Sequence, residues 1–342
     1  MIVLGIETSC DECSMALVED GRRILSHTVA SQIPFHEPYS GVVPEIASRK
    51  HAEWILPVYR ETMEKAGADD RALGNEAIDG IAVTNRPGLT GSLVVGVSFA
   101  KALALALGVP FVGIDHIRAH LYAVHLEREL SYPYLGLIVS GGHTLIARVD
   151  GFDDIAVLGA SIDDACGEAF DKVAKFYEMG YPGGVVIDRL SAEGDPQAFR
   201  FPDISLHKGD HPYDVSYSGL KTAVVNQLDQ FWDGHSEKST ANIAASFQRA
   251  AIDMIVKRLL RAVRDTGVAT VVVGGGVAAN SYLRRSLECS EELTALFPSL
   301  ELCTDNGAMI AGLGYHYLRE GYSDGYDLDV SARVPGFRKA YP

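Results

Sequence analysis

The chain has 342 residues, a formal net charge of −15, 47% hydrophobic residues and 22% charged residues. That composition describes a folded, enzyme-sized body with room for two domains or lobes, and it excludes a disordered chain. The acid excess excludes a protein that coats nucleic acid or anionic membrane by bulk charge, while leaving room for a local basic strip or a basic partner. The five cysteines, Cys10, Cys13, Cys166, Cys289 and Cys303, are too sparse for a secreted disulfide framework. Met1 to Ile6 runs into Glu7 with no basic region before it. The longest apolar stretch, around Val94 to Val109, contains Ser98 and Lys101 and reads as too short for a membrane span. A cytoplasmic protein with no membrane contact is the expectation.

In chain order, residues 2–6 read as a buried strand and 14–18 as a second, joined by the acidic turn Glu7-Thr8-Ser9-Cys10-Asp11-Glu12. Residues 81–84 form another short apolar run, followed by the turn signal Asn85-Arg86-Pro87-Gly88 and a helix-like stretch over 92–107. A strand over 111–114 ends at Asp115, where the next helix starts. Strands over 135–139 and 144–149 flank the tight turn Ser140-Gly141-Gly142-His143 and echo the shape of residues 2–18. Two similarly built lobes are therefore expected, 1–130 and 131–342, with the C-terminal helix free to pack back on the first. Helices are expected over 163–177, 219–231, 240–264 and 306–319, strands over 270–273 and 300–303, and an extended tail from Gly325. Strands alternating with helices indicate an α/β chain with core-buried sheets.

His116-Ile117-Arg118-Ala119-His120 is the sharpest local feature. On a helix, residues i and i+4 share a face, so both imidazoles can reach one metal ion. The metalloprotease pattern carries a Glu after its first His as general base; Ile117 stands there instead, so that mechanism lacks its base. Two solvent-facing or capping histidines are the plain alternative. A carboxylate is the usual third ligand of a two-His site, and Asp305, in Thr304-Asp305-Asn306-Gly307 at an expected strand end, is the candidate.

Three glycine-rich turns add a second theme: Val139-Ser140-Gly141-Gly142-His143, Tyr181-Pro182-Gly183-Gly184 ahead of Asp188, and Gly274-Gly275-Gly276-Val277-Ala278-Ala279-Asn280. Glycine lets backbone approach a phosphate or ribose, and a helix N-terminus favours an anion. None is a Walker loop. Each alone reads as an ordinary turn; the three together point to a nucleotide site. Asp163 and Asp164 are expected to favour the N-terminus of their own helix, leaving Asp171 freer to bond a ligand hydroxyl. Cys10 and Cys13 read as two small buried residues at a turn, with no second pair for a zinc site.

Assembled, these segments make the chain resemble, nearly end to end, the TsaD family of tRNA threonylcarbamoyladenosine transferases. The resemblance runs through Gly5 to Glu12, Val42-Val43-Pro44-Glu45-Ile46-Ala47-Ser48-Arg49, His116 to His120, Val139 to Thr144, Gly167 to Lys172, Ser218-Gly219-Leu220-Lys221-Thr222, Gly275 to Asn280 and Thr304 to Ala311. It implies the actin-like, sugar-kinase-like fold, two lobes with a ligand cleft. It implies transfer of threonylcarbamoyl from threonylcarbamoyl-AMP to N6 of the adenosine next to the anticodon in tRNAs reading ANN codons, with release of AMP. By the same resemblance His116, His120 and Asp305 hold one divalent metal ion per subunit, Fe2+ or Zn2+. Val139, Ser140, Gly141, Gly142 and His143, with Asp171, Gly184, Asp188 and Asn280, bind the adenylate, and Asp11 lies near the reacting groups. A TsaB-like paralogue and a TsaE-like ATPase are the implied partners. Cys13, where the family commonly has Thr, Ser or a small residue, and Phe201-Pro202-Asp203-Ile204, which lacks a basic, proline-rich form, depart from the pattern.

Three rival readings exist. A phosphotransferase of the same fold, acting on a small acid or sugar, gives the two histidines no task. A metallopeptidase lacks its glutamate. A non-catalytic scaffold of the tRNA-modification complex would not need the His-His-Asp set.

Overall fold

The computed structural model describes residues 1–67, 78–202 and 212–333. Asp203 and Ile204, half of the second departure from the family pattern, and the end of the expected tail lie outside the described residues. The chain divides into two compact units: Met1–Leu130 joined by the described residues from Pro298 onward, and Ser131–Phe297.

The first unit is built on five strands, β1 (Ile2–Glu7), β2 (Glu12–Glu19), β3 (Arg23–Ser31), β4 (Gly80–Arg86) and β5 (Phe111–Asp115), in the order β3-β2-β1-β4-β5. β1 pairs antiparallel with β2 and parallel with β4, so it sits at the centre. Its side chains alternate between two covered faces, which is why the strand is apolar throughout rather than alternating with polar residues. Leu4 and Ile6 join a core with Ile55, Val58, Val97 and Ala100 from the helices Pro44–Lys65 and Thr90–Leu107. Cys13 lies fully buried in the same core, opposite Ala30 on β3.

Gly5 faces the other side, against the helix Gly307–Arg319. A methyl group on Gly5 would fall on the Gly307 carbonyl oxygen and the Ala311 amide, and one on Gly307 would lie 2.7 Å from Met15 and Ala16 backbone atoms. Helix backbone therefore rests directly on strand backbone. Ser14 Oγ accepts from the Gly307 amide at 2.9 Å. Asn306 caps the helix by accepting from the Met309 amide at 2.9 Å.

By length and composition the helix Thr90–Leu107 is apolar enough to cross a membrane, the one such helix among the described residues. Its Leu93, Gly96, Val97, Ala100 and Ala104 are buried, and Lys101 donates to the Leu328 carbonyl at 2.6 Å. The segment 325–333 has no helix or strand, but Leu328 and Val330 pack onto this core.

The second unit carries β6 (Tyr134–Val139), β7 (Thr144–Val149), β8 (Ile155–Ala160), β9 (Thr270–Gly274) and β10 (Thr294–Leu296), ordered β10-β9-β6-β7-β8. The pairings β6–β7 and β7–β8 are antiparallel, β6–β9 and β9–β10 parallel. The order and senses match those of the first sheet strand for strand. The C-terminal ends of β6 and β9 are neighbours, where α/β sheets place their ligands.

Several local expectations change. Residues 300–303, read as a strand, form one helical turn, with the Cys303 amide donating to the Ser299 carbonyl at 3.1 Å, and the edge strand is Thr294–Leu296 instead. A four-residue apolar run does not distinguish the two by periodicity. The helix expected from 163 begins at Cys166, and the one expected over 219–231 spans Ser218–Asn226 and resumes at Leu228 after Gln227 turns out of helical geometry. Strands β3 and β8 and the helices Pro44–Lys65 and Gly183–Ser191 had no counterpart in the expectations. β3 is an edge strand of mixed exposure, and the first of these helices contains Pro57.

Gly5→Ala is expected to lower the unfolding free energy by about 1–3 kcal/mol, the usual cost of overpacking a closed contact. Urea denaturation of the full chain measures it; unchanged stability would contradict the packing described.

Candidate functional site

Asp115 ends β5 and caps the next helix, His116–Tyr122, its Oδ1 accepting from the Ile117 amide at 3.0 Å and the Arg118 amide at 3.2 Å. The cap starts the helix immediately at His116, so His116 and His120 stand one turn apart on one face, ring centroids 4.6 Å apart. Asp305, at the entry to the helix that rests on β1, places Oδ1 3.0 Å from His120 Nε2 and 3.4 Å from His116 Nε2. The three ligand atoms lie within 4.8 Å of one another. Such separations suit donors that each lie about 2.0–2.2 Å from a shared ion, and two imidazoles with one carboxylate are a donor set for iron or zinc. The residues fit a divalent metal.

The electrostatics agree. Burial opposes ionisation of Asp305, but the adjoining His116 and His120 hold its carboxyl well below the usual range. Burial likewise opposes charge on His116, and Asp305 and Glu7 overcome it, pushing that ring well above the ordinary histidine value. Burial and the neighbouring His116 push His120 down. An ion bound here would compete with a proton for His116.

Behind His116 lies Glu7, a residue given no role in the sequence reading. It is fully buried at the end of β1, with Oε2 2.9 Å from His116 Nδ1. Its other contacts are the Ser9 amide, 2.5 Å from Oε1, and the Thr84 hydroxyl, 2.6 Å from Oε2. The signal in the sequence was an acid closing an otherwise apolar strand.

Asp11 lies on the β1–β2 turn, partly exposed, its carbonyl accepting from the Gln32 amide at 2.9 Å. The preceding Cys10 carbonyl is 2.9 Å from His51 Nε2, so the turn is pinned from two sides. Burial, then Asp11 and Asp305, push the adjoining Glu12 carboxyl well above the usual range. Asp11 and Asp305 thus act on a common neighbour. Burial pushes the Cys13 thiol up to about 12, an inert buried group rather than a metal ligand.

The remaining candidates belong to the second unit. Val139 ends β6, and the turn after it closes by the Ser140 amide donating to the His143 carbonyl (2.8 Å) and the His143 amide to Ser140 Oγ (3.0 Å). Gly275, at φ +90°, lets the β9 turn lie against it: a side chain there would sit 2.5 Å from the Val139 carbonyl oxygen. A methyl on Gly141, Gly142, Gly184 or Gly276 would meet nothing within 4 Å, so the space on that side of each backbone is open. Asp171 Oδ1 accepts from the Gly183 amide at 2.7 Å and thereby holds the start of the Gly183–Ser191 helix. Asp188 accepts from Ser281 Oγ at 2.8 Å and from the Ser281 amide at 3.1 Å. Asn280 donates to Asp188 at 3.3 Å and Gln248 at 2.7 Å, and caps the helix Ser281–Glu288. Asp188 and Asn280 thereby tie the Gly183–Ser191 helix to the turn after β9.

Asp163 and Asp164 lie ahead of the helix Cys166–Phe176 rather than in its first turn. Asp163 accepts from the Tyr217 and Ser218 amides at 2.8 and 3.1 Å, and Asp164 pairs with Lys172 at 2.7 Å and Lys221 at 2.5 Å. They bind a neighbouring helix to this one.

Residues 23–312 match the family model described as tRNA N6-adenosine threonylcarbamoyltransferase. A protein of that name from Treponema denticola is 60% identical over 339 residues, covering 99% of each chain. One from Borreliella burgdorferi (strain ZS7) is 49% identical over 342 residues, covering 100% of this chain and 96% of the relative. Among solved structures, T. kodakarensis HypF aligns with a TM-score of 0.63 at 15% identity, covering 93% of this chain and 48% of HypF. That last likeness shows the fold alone, an actin-like α/β fold.

Burial opposes ionisation of Asp164, but Lys172 and Lys221 hold its carboxyl below the ordinary value. Its folded pKa thus lies below the unfolded one, about 3.9, so its contribution is complete above that pH and fades as pH falls through the folded value. Asp164→Asn is expected to cost about 1–2 kcal/mol at pH 7, a difference that shrinks below about pH 4. Urea unfolding across that range measures it; a pH-independent difference would refute the charge pairing.

Proposed function

The chain belongs to the tRNA N6-adenosine threonylcarbamoyltransferase family, and on that premise we propose how its residues divide the work. The reaction moves a threonylcarbamoyl group onto N6 of an adenosine in tRNA. With threonylcarbamoyl-AMP as donor, N6 attacks the carbamoyl carbon, the bond from that carbon to the phosphate oxygen breaks, AMP leaves, and N6 sheds one proton. The donor is a mixed anhydride, so no covalent enzyme nucleophile is required. An exocyclic adenine amine is a poor nucleophile, so positioning and carbonyl polarisation carry the rate.

His116, His120 and Asp305 would hold one divalent ion, Fe2+ or Zn2+, which supplies Lewis-acid polarisation of the acyl oxygen. The convergence of these three side chains, with Asp305 Oδ1 3.0 and 3.4 Å from the two Nε2 atoms, is the observation that carries the reading. Asp11, on its partly exposed turn, takes the proton from N6. The turn Val139 to His143 receives the AMP part of the donor, where Gly141 and Gly142 leave open space beside the backbone. Asp171, Gly184, Asp188 and Asn280 bind the adenylate with it, Asp188 and Asn280 held by their mutual hydrogen bond and Asp171 by its bond to the Gly183 amide.

The acceptor is the adenosine beside the anticodon of tRNAs reading ANN codons, and presenting its N6 requires unstacking, at a cost of a few kcal/mol. The net charge of −15 works against unaided tRNA binding. A TsaB-like paralogue and a TsaE-like ATPase in the cytoplasm complete the proposed assembly.

The test is nucleoside mass spectrometry on an ANN-reading tRNA incubated with threonylcarbamoyl-AMP, this protein and its partners. Threonylcarbamoyladenosine is expected with the native chain and reduced at least about 100-fold, the scale for losing a metal-assisted step, in His116→Ala and His120→Ala. Full activity in the metal-free double variant would overturn the metal's role.

A further inference from the structure

We infer that Glu7 is a positioning residue for the metal ligands, fixing the proton of His116 on Nδ1 so that Nε2 keeps its lone pair for the ion. The inference rests on the metal reading proposed above and adds to it a residue that never touches the ion.

Glu7 is fully buried, and an isolated ionised carboxylate in such a place is too costly to keep unless each oxygen is hydrogen-bonded. Two of its three partners donate, the Ser9 amide to Oε1 and the Thr84 hydroxyl to Oε2, and the third, His116 Nδ1, also lies on Oε2. An acceptor-only group is therefore required at this point, and a carboxylate is the side chain that supplies one with two oxygens. Nδ1 lies 2.9 Å from Oε2 and 3.2 Å from the Ser9 hydroxyl oxygen; a proton on Nδ1 suits both, the hydroxyl oxygen accepting as readily as it donates, whereas a bare Nδ1 would set a lone pair against the nearer carboxylate oxygen. The other nitrogen, Nε2, points to Asp305. A carboxylate behind a ligating histidine also raises the basicity of the ligating nitrogen.

The carboxylate is itself held by the sheet. Thr84 lies on β4, the parallel neighbour of β1, and pairs with Ile114 on β5, one residue before the Asp115 cap. The strand that carries Glu7, the strand that anchors it and the strand that launches the His helix are thus consecutive in one sheet. Ring orientation is set by the most rigid part of the unit rather than by a loop.

Glu7→Gln keeps the size but turns an NH2 group toward at least one of these three partners. In the full chain, Zn2+ affinity, read by competition with a chromophoric chelator, is expected to fall about 10–100-fold, the usual loss on removing an outer-shell partner. Thr84→Val, which removes only the hydroxyl that steadies Oε2, should give a smaller fall in the same direction. In Zn2+-loaded protein labelled with 15N-histidine, the His116 Nδ1 proton should resonate downfield in the native chain and move upfield in Glu7→Gln, a signature that simple loss of stability does not produce. Native-like Zn2+ affinity in Glu7→Gln, or an unmoved Nδ1 proton, would overturn the inference while leaving the metal reading intact. No Zn2+ binding by the native chain would instead sink both.

Discussion

A backbone-to-backbone contact between β1 and the helix Gly307–Arg319, possible because neither Gly5 nor Gly307 carries a side chain, sets where Asp305 can stand. Helices normally lie on sheets at the distance their side chains demand. Here the approach is closer, and the residues just before the helix are drawn toward the end of β1 with it. Asn306 and Ser14 fix that entry through hydrogen bonds, so Asp305 is delivered by a capped helix start rather than by a free loop. The His helix is delivered in the same way, by the Asp115 cap at the end of β5. Two capped starts at one edge of one sheet bring together residues 185 positions apart.

The price of that convergence is electrostatic. Two carboxylates, Glu7 and Asp305, and two imidazoles are gathered where water is scarce, and each group's proton affinity is bent by the others. Paired, the set is tolerable; breaking one pair in such a place leaves an uncompensated charge. A divalent cation answers the two negative charges more fully than a protonated histidine does. The second unit follows another logic: its Asp171, Asp188 and Asn280 bond to the protein, holding the start of the Gly183–Ser191 helix and the turn after β9.

What could be read from the sequence follows the range of the interaction that made it. His116 and His120 are four apart, and the central strands are continuous apolar runs, so local periodicity reveals both. Asp305 was suggested as the end of a strand, yet the residues before it form a helical turn and it enters through a helix cap. Glu7 was invisible as a functional residue because its partners, Thr84 and His116, lie 77 and 109 residues away. Asp163 and Asp164 looked like a helix start because acids favour that place, and long-range partners near residue 217 claimed them instead. β3 was missed because an edge strand with one exposed side lacks the apolar run that marked its neighbours.

The central claim is that His116, His120 and Asp305 share one ion. Anomalous X-ray diffraction from crystals of the metal-loaded protein, collected on both sides of the iron and zinc edges, tests it without reference to activity. The account predicts a single strong peak about 2.0–2.2 Å from His116 Nε2, His120 Nε2 and a carboxylate oxygen of Asp305. A peak held by other residues, or none between these three side chains, would contradict it.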